Sequence, residues 1–243
     1  MPFNFNSYGS SAAVSPRDGV GKRRHFSLYC ARCGVPSRQP IMPLLAVHPE
    51  AKIIRVQLRQ NVALRHLTVA QWQELEPLIE IIDYPKSETL EHQGDLSMEQ
   101  YFIIDGILKR VVSNAEGREM ILRFAAETDI DTSYAAWRLK TPIPYSIRTV
   151  TRVRAAKLSM QQWVCFLDRH PGVQREFEFE IMKLMSEVMA HTITLHLLDA
   201  PGRVLRFMRK HAELADRLPK KELASYLNLS PETLSRLKRR GKI

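Results

Sequence analysis

Short apolar or alternating runs, separated by turn residues, fill the chain from about residue 69 to residue 167. Five runs predict β-strands, and they cover residues 80–84, 100–104, 107–112, 120–124 and 146–150. The predicted turns are Gln93-Gly94-Asp95, Asp105-Gly106 and Ala115-Glu116-Gly117. Asp105-Gly106 is the strongest hairpin signal, because a tight primed turn needs residues that accept a positive φ. The pattern predicts an antiparallel β-roll domain over residues 51–170 that has space for a binding pocket.

After Pro171 the apolar residues recur at threes and fours, which is the period of a helix. The pattern predicts one long helix over residues 171–198, with His191 falling in a gap of the stripe. A stripe this long favours a coiled-coil-like dimer seam, although packing on the same chain is the alternative. The predicted seam residues are Phe177, Ile181, Leu184, Val188 and Leu195. Three methionines also recur along this helix, and we interpret them as core filler: Met182, Met185 and Met189.

The C-terminal segment, residues 199–243, predicts two short helices joined by a sharp turn. The first covers residues 220–227 and the second residues 231–240, with Asn228-Leu229-Ser230 between them. Ser230 can cap the second helix, and Pro231 suits its first position because no N–H is needed there. Asn228 tolerates the left-handed conformation that such a turn demands. The order predicts a helix-turn-helix, preceded by a hinge at residues 199–203.

The second helix of this motif carries candidate nucleic-acid contacts on its outer face. The candidates are Glu232, Thr233, Ser235, Arg236 and Arg239, most of which recur at helical spacing. Residues 201–243 contain 12 Lys/Arg and 4 Asp/Glu, an excess of +8 in a chain whose total is +10. A concentrated positive charge favours binding to a DNA duplex through release of counterions. The alternative is a solvated basic tail on an ordinary helical hairpin.

Composition narrows the class of protein further. Three cysteines, no secretory signal and no apolar run of membrane-spanning length predict a cytoplasmic protein. Residues 1–50 are interpreted as a flexible segment that contains Cys30 and Cys33. We find no Gly-rich phosphate loop, nucleophile elbow or His-Glu metal motif, so an enzyme is not expected. Asp129 and Asp131 are interpreted as solvated surface residues.

The order of β-roll, long helix and helix-turn-helix resembles the cyclic-AMP-receptor and fumarate/nitrate-reductase (Crp/Fnr) superfamily of bacterial transcription factors. The resemblance covers residues 69–243 and implies an α+β fold with a cyclic-nucleotide-binding-like jelly roll. Its most specific part is residues 229–237, which resemble the Glu-x-x-Ser-Arg recognition helix of the fumarate/nitrate and FixK-like branch. The resemblance implies base contacts by Glu232, Ser235 and Arg236, a homodimer on TTGAT-N4-ATCAA, and contact with RNA polymerase.

The sequence departs from the superfamily pattern at the positions that bind effectors. Asp131-Thr132 and Tyr145-Ser146 stand where a Gly-Glu and an Arg-Ser pair hold a cyclic nucleotide, so the phosphate-binding arginine is missing; Arg148 is the nearest arginine in sequence. Cyclic-AMP control is therefore not expected.

An iron–sulfur cluster is not expected either. Cys30-Ala-Arg-Cys33 has the family-like beginning, but Gln39 and Ala156 stand where the other two cysteines would align, and Cys165 lies nine residues beyond. Cys30 and Cys33 remain open as a redox pair, half of a zinc site, or cluster ligands completed by His25 or His48. Haem, or no effector at all, also remains open.

The chain ends at residue 243, before the β-hairpin wing that follows the recognition helix in the superfamily. We interpret this as a truncated wing. The alternative function is therefore a β-roll ligand-binding or interaction module that has lost DNA binding with its wing.

Overall fold

The structure is a computed structural model that describes residues 43–239. Cys30, Cys33 and the last predicted residue of the second motif helix, at position 240, lie outside this range, as do His25 and Gln39. All contacts given below are between residues of the described part.

Two four-stranded antiparallel sheets form the β-roll. One has the strand order β1-β8-β3-β6 and the other β2-β7-β4-β5. The strands are β1 Glu80–Tyr84, β2 Thr89–Glu91, β3 Glu99–Asp105, β4 Leu108–Ser113, β5 Glu119–Ala125, β6 Ile130–Thr132, β7 Ser146–Thr149 and β8 Val153–Ser159. The predicted antiparallel roll is confirmed.

The five predicted strands correspond to β1, β3, β4, β5 and β7. Two of the three missed strands, β2 and β6, have three residues each, which is too short for a period-2 pattern to stand out. The third, β8, pairs with both β1 and β3 in the middle of its sheet. Its sequence contains two alanines and two cations, so its apolar signal is weak despite its central place.

The predicted Asp105-Gly106 turn joins β3 to β4. Gly106 has φ +94°, and a Cβ at this position would lie 2.1 Å from the carbonyl oxygen of Arg152. Its N–H donates to the Glu127 carboxylate at 2.8 Å. Glycine is required here both by the positive φ and by the close approach of the segment between β7 and β8, which contains Arg152.

Four helices pack against the strands of the roll, and the sequence pattern did not predict the first three. They are α1 Ala51–Leu58, α2 Val69–Leu75, α3 Tyr134–Leu139 and α4 Met160–Arg169. Before α1, Leu45 is fully buried, and its N–H donates to the Ile79 carbonyl at 2.9 Å. The flexible segment predicted through residue 50 therefore extends too far, because an apolar anchor fixes the chain at Leu45.

The C-terminal half is helical, with α5 Pro171–Leu197, α6 Ala200–Lys210, α7 Ala212–Ala215, α8 Lys220–Tyr226 and α9 Pro231–Arg239. The hinge predicted at residues 199–203 is wrong in extent, because four of its residues form the first turn of α6. Asp199 caps that turn by accepting a hydrogen bond from the Gly202 N–H at 2.9 Å. The break between α5 and α6 is confined to Leu198 and Asp199.

The helix-turn-helix packs against the roll of its own chain. One apolar core joins residues of β4 and β5 to residues of α6, α8 and α9, including Phe124, Tyr226 and Leu234. The rings of Phe124 and Tyr226 are 5.1 Å apart, and Lys109 forms an ion pair with Glu222 at 2.7 Å beside them. The roll and the C-terminal helices therefore share one hydrophobic core. No helix within residues 43–239 is both long and apolar enough to cross a bilayer.

Candidate nucleic-acid interface and the roll interior

Helices α8 and α9 are held in the geometry of a helix-turn-helix by the residues that the sequence singled out. Asn228 adopts the left-handed conformation at φ +53°, and Ala224 is fully buried where the two helices meet. The Ser230 hydroxyl accepts a hydrogen bond from the Thr233 N–H at 3.1 Å, which caps α9. Leu234 and Leu237 are buried, so the opposite side of α9 faces outward.

The outward side of α9 carries the candidate base contacts. Glu232, Arg236 and Arg239 are exposed, whereas Thr233 and Ser235 are half-buried. The Ser235 hydroxyl donates to the Pro231 carbonyl at 2.7 Å, which leaves its lone pairs free to accept. Hydrogen bonds from its own N–H and from Ser230 hold the pKa of the Glu232 carboxyl below its usual value. This face therefore presents an ionised acceptor, a hydroxyl and two guanidinium groups.

The stripe predicted as a dimer seam on α5 packs mainly within the chain, which corrects that prediction. Phe177 is 1% exposed and Leu184 is 6% exposed, and the Phe177 ring lies 5.1 Å from the ring of Trp163. Ile181 packs against the same core, and Val188 and Leu195 are half-buried. The helical period was recognised correctly, but Phe177, Ile181 and Leu184 pack on the same chain, which was the alternative, while Val188 and Leu195 stay partly exposed.

A second apolar stripe lies on the opposite side of α5 and is exposed. With about 3.6 residues per turn, its members align along the helix at spacings of three and four. Each is between 50% and 77% exposed: Phe179, Met182, Met185, Met189, Ile193 and Leu197. The interpretation of the three methionines as core filler is therefore wrong for this chain, and we call these six residues the outer stripe. A contiguous exposed apolar surface of this kind marks an interaction site.

The interior of the roll holds a buried ion pair between Arg110 on β4 and Asp131 on β6. Their side chains are 3% and 0% exposed, and Arg110 Nε donates to Asp131 Oδ1 at 2.7 Å. Arg110 also donates to the Thr132 carbonyl at 3.0 Å, and its guanidinium lies 4.6 Å from the centre of the Tyr145 ring. The expectation that Asp131 is solvated is wrong, because it lies in a strand whose side chains point inward, where Arg110 compensates its charge.

These contacts involve the two stretches that the superfamily resemblance assigns to the cyclic nucleotide. The Tyr145 hydroxyl donates to the Thr132 carbonyl at 2.7 Å, and the Ser146 hydroxyl accepts from the Gln93 N–H at 3.0 Å. Arg148 forms an ion pair with Glu119 at 2.5 Å. Most polar groups of this region are therefore engaged with one another, whereas Asp131 Oδ2 and Arg148 Nε are buried without a hydrogen-bond partner in residues 43–239. The sequence reasoning did not consider the central cation, Arg110. Its only signal was an arginine at an inward position of an apolar run.

Glu91 on β2 is a second buried acid beside this pair, with a side chain that is 3% exposed. It accepts hydrogen bonds from the Glu99 N–H at 2.7 Å and from the Ser133 hydroxyl at 2.8 Å. Burial outweighs these two bonds and raises the pKa of Glu91 to about 7. The carboxyl is therefore partly protonated near neutral pH.

We expect Glu91→Gln to remove a pH dependence of stability. Because the folded pKa is about 7 and the ordinary value is 4.5, the folded state favours the neutral acid. The stabilisation is complete below pH 4.5 and is lost as the pH rises to 7, by about 2–3 kcal/mol. Urea unfolding at pH 5 and pH 8 measures this difference. Glu88→Gln, at an exposed acid three residues away, should leave the pH dependence unchanged; the same pH dependence in Glu91→Gln as in the wild type would contradict the assignment.

Metal-binding chemistry has little support in the described part of the chain. Between residues 43 and 239, no cluster of three or more His, Cys, Asp or Glu side chains is arranged to hold a metal ion. Cys165 lies on α4 and is exposed.

Comparison with known proteins connects this fold to one group of regulators. Residues 81–170 match the cyclic nucleotide-binding domain family. The chain is 21% identical over 164 residues to the cAMP-activated global transcriptional regulator CRP of Salmonella typhimurium, covering 63% of this chain and 78% of that protein. It is 22% identical over 201 residues to the nitrogen fixation regulation protein FixK of Bradyrhizobium diazoefficiens, covering 76% and 83%.

A similar fold occurs in the c-di-GMP-responsive global regulator CLP of Xanthomonas campestris. The two structures align with a TM-score of 0.60 at 16% identity, over 72% of this chain and 92% of the other. The curated relatives are transcription regulators, which supports a DNA-binding regulator in general, here with a cyclic-nucleotide-binding-like roll. These similarities support the predicted relationship of the chain to the Crp/Fnr superfamily and to FixK.

Proposed function

We propose that the protein is a sequence-specific, DNA-binding transcription regulator that acts as a homodimer on a TTGAT-N4-ATCAA-like palindrome. The observation that carries the proposal is the capped, basic helix α9, whose outward face exposes Glu232, Arg236 and Arg239. Within the proposed DNA-binding domain, residues 199–243, the outward face of α9 is the surface that can enter a major groove. From the superfamily resemblance we also propose contact with RNA polymerase.

The chemistry of α9 supports direct readout of bases. The fork of Arg236 can donate two hydrogen bonds to guanine O6 and N7, and the Glu232 carboxylate can accept from cytosine N4. Each such contact contributes about 1–3 kcal/mol of discrimination. Arg239 and the other cations of this region add contacts to phosphates, which position the protein without reading sequence.

The outer stripe of α5 supports the homodimer and replaces the seam that the sequence predicted. Six exposed apolar side chains at spacings of three and four give the period of a helix-to-helix seam. A two-fold pair of such helices would place two α9 helices on one side of the duplex, about 34 Å apart, as a palindrome requires.

Arg236→Ala tests whether α9 recognises the bases of the proposed operator. We expect binding to the palindrome to weaken about 10- to 100-fold per half-site, because one bidentate base contact is lost. Binding to a scrambled duplex should weaken little. Fluorescence anisotropy titrations at two salt concentrations measure both affinities, and the specific complex should weaken steeply as salt rises.

Lys238→Ala is the matched control, because it removes the same charge from an exposed position on the other side of α9. It should weaken both duplexes by similar factors. If Arg236→Ala and Lys238→Ala have the same effect, or if the wild type does not prefer the palindrome, the proposed operator is wrong. The roll would then be better regarded as an interaction module without specific DNA binding.

A further inference from the structure

A cavity lies where α5, α6 and α8 meet strand β5. Its volume is about 40 Å³, and its walls include Phe124, His191, Phe207 and Tyr226. By the same measure one water needs about 10–15 Å³, so the cavity has space for about three waters or one small oxyanion. It lies at the junction of the roll, the long helix and the helix-turn-helix.

The charge that lines this cavity is mostly positive. Four cations contribute to its walls, Arg123 from β5 and Arg203, Arg206 and Lys210 from α6, against one acid, Glu187 from α5. Three of the cations have partners: Arg123 pairs with Asp129, Lys210 pairs with Glu187 at 3.2 Å, and Arg203 donates to the Leu198 carbonyl at 2.9 Å.

The side chain of Arg206 is exposed, and it makes no hydrogen bond or ion pair with another residue of the described range 43–239. Of the four cations that line the cavity, Arg206 is therefore the one without a partner among the described residues.

His191 adds a polar atom that lacks a partner. Its ring stacks in parallel on Tyr226, with centroids 3.7 Å apart and planes 1° from parallel. Nε2 is buried and has no hydrogen-bond partner in residues 43–239. Burial lowers the pKa of His191 to about 4 and outweighs a hydrogen bond with the Tyr226 backbone that raises it, and the nearby His211, Lys210 and Arg206 lower it further, so the ring is neutral. Buried polar atoms are nearly always hydrogen-bonded, so this nitrogen points to a ligand or water in the cavity.

We infer that this cavity binds a small oxyanion, of the size of sulfate or phosphate, through Arg206, Lys210 and His191. The anion would neutralise the excess positive charge and give Nε2 of His191 a hydrogen-bond partner. Since α5 and α6 supply its ligands, a bound anion would stabilise the orientation of the helix-turn-helix relative to the long helix. The site goes beyond the proposed DNA binding and does not depend on it.

The site also predicts uptake of a proton. An anion beside His191 favours the charged imidazolium, so affinity should rise as the pH falls from 7 to 5, towards the His191 pKa of about 4. The other charged or titratable groups around the ring are Glu187 on the same helix, Arg123 on β5, Arg206 and Lys210 on α6, His211 at its end, and Tyr226 on α8. Burial lowers the pKa of His211 as well, so a variant must separate the two histidines.

Isothermal titration of the full chain with sodium sulfate, against sodium chloride at equal ionic strength, tests the site. Sulfate is suitable because its charge is constant from pH 5 to pH 7. We expect Arg206→Gln to weaken sulfate binding about tenfold, because a charge-assisted hydrogen bond is lost. Arg209→Gln is the matched control, since Arg209 lies on the same helix and is not among the residues that line the cavity. It should change the affinity less than twofold.

Two further variants distinguish loss of the anion site from loss of the folded structure. His191→Phe retains the ring that stacks on Tyr226 and removes the nitrogen, so it should weaken binding and abolish its pH dependence. Glu187→Gln removes the acid and should tighten binding. The inference is overturned if sulfate does not bind the folded wild type, if Arg209→Gln and Arg206→Gln weaken binding equally, or if the pH dependence persists in His191→Phe.

Discussion

Arg110→Ala is expected to destabilise the protein by about 3–5 kcal/mol, because it leaves the Asp131 carboxylate buried without its counter-charge. Both side chains are nearly inaccessible, at 3% and 0% exposure, so water cannot replace the lost guanidinium without opening the roll. The variant also loses the hydrogen bond to the Thr132 carbonyl and the contact with the Tyr145 ring. Urea unfolding monitored by circular dichroism, at one fixed protein concentration, measures the change.

Two variants separate the loss of a buried partner from the loss of any ion pair. Arg148→Ala removes an arginine that pairs with Glu119, with the two side chains 30% and 38% exposed. Since pairs at such positions contribute little, we expect less than about 1 kcal/mol. Arg110→Met combined with Asp131→Leu removes both buried charges and should recover most of the lost stability. Equal effects of Arg110→Ala and Arg148→Ala would show that Asp131 does not depend on Arg110.

The sequence predicted the local elements of the fold well, because their signals are local. Asn228, Ser230 and Pro231 mark the turn and the start of α9 by their own backbone preferences, and the structure uses them in that way. Gly106 marks its hairpin for the same reason. The missed strands β2 and β6 are too short to show a period, and in β8 two alanines and two cations weaken the apolar signal.

The interior of the roll was not predictable from such signals. Arg110 and Asp131 are separated by about twenty residues, and they meet only because β4 and β6 lie in facing sheets. Pairing across two sheets follows from the topology and not from a spacing along the chain. The cavity beside His191 is a similar case, since its cations come from β5 and α6.

For α5, the sequence predicted the helical period correctly. It did not predict which side of the helix packs against the roll and which side is exposed. The helix carries two apolar stripes, one through Phe177 and Leu184 and one through Met182, Met185 and Met189. Periodicity reports that a side chain recurs on one side of a helix, but it does not report what covers that side. Only the position of the roll decides it, and the roll covers Phe177 and Leu184.

Met185→Asp combined with Met189→Asp should convert the proposed dimer to a monomer, because each chain would bring two carboxylates into the apolar seam that the outer stripe would form with its own copy. Monomers contact one half-site at a time, so affinity for the palindrome should fall at least about 100-fold. Sedimentation velocity and anisotropy measure the two effects. Met120→Asp, at a methionine that is 47% exposed on β5, is the matched control and should leave the dimer intact.

Opposite charges placed at the seam should restore dimer formation, whereas a folding defect would not be rescued in this way. Met185→Asp chains mixed in equal amounts with Met185→Lys chains should form heterodimers, because opposite charges then meet across the two-fold seam. Each variant alone should remain monomeric. If the double aspartate variant stays dimeric, the outer stripe is not the seam; if it is monomeric but still binds the palindrome with full affinity, recognition does not require two α9 helices, and the proposed homodimer on DNA is wrong.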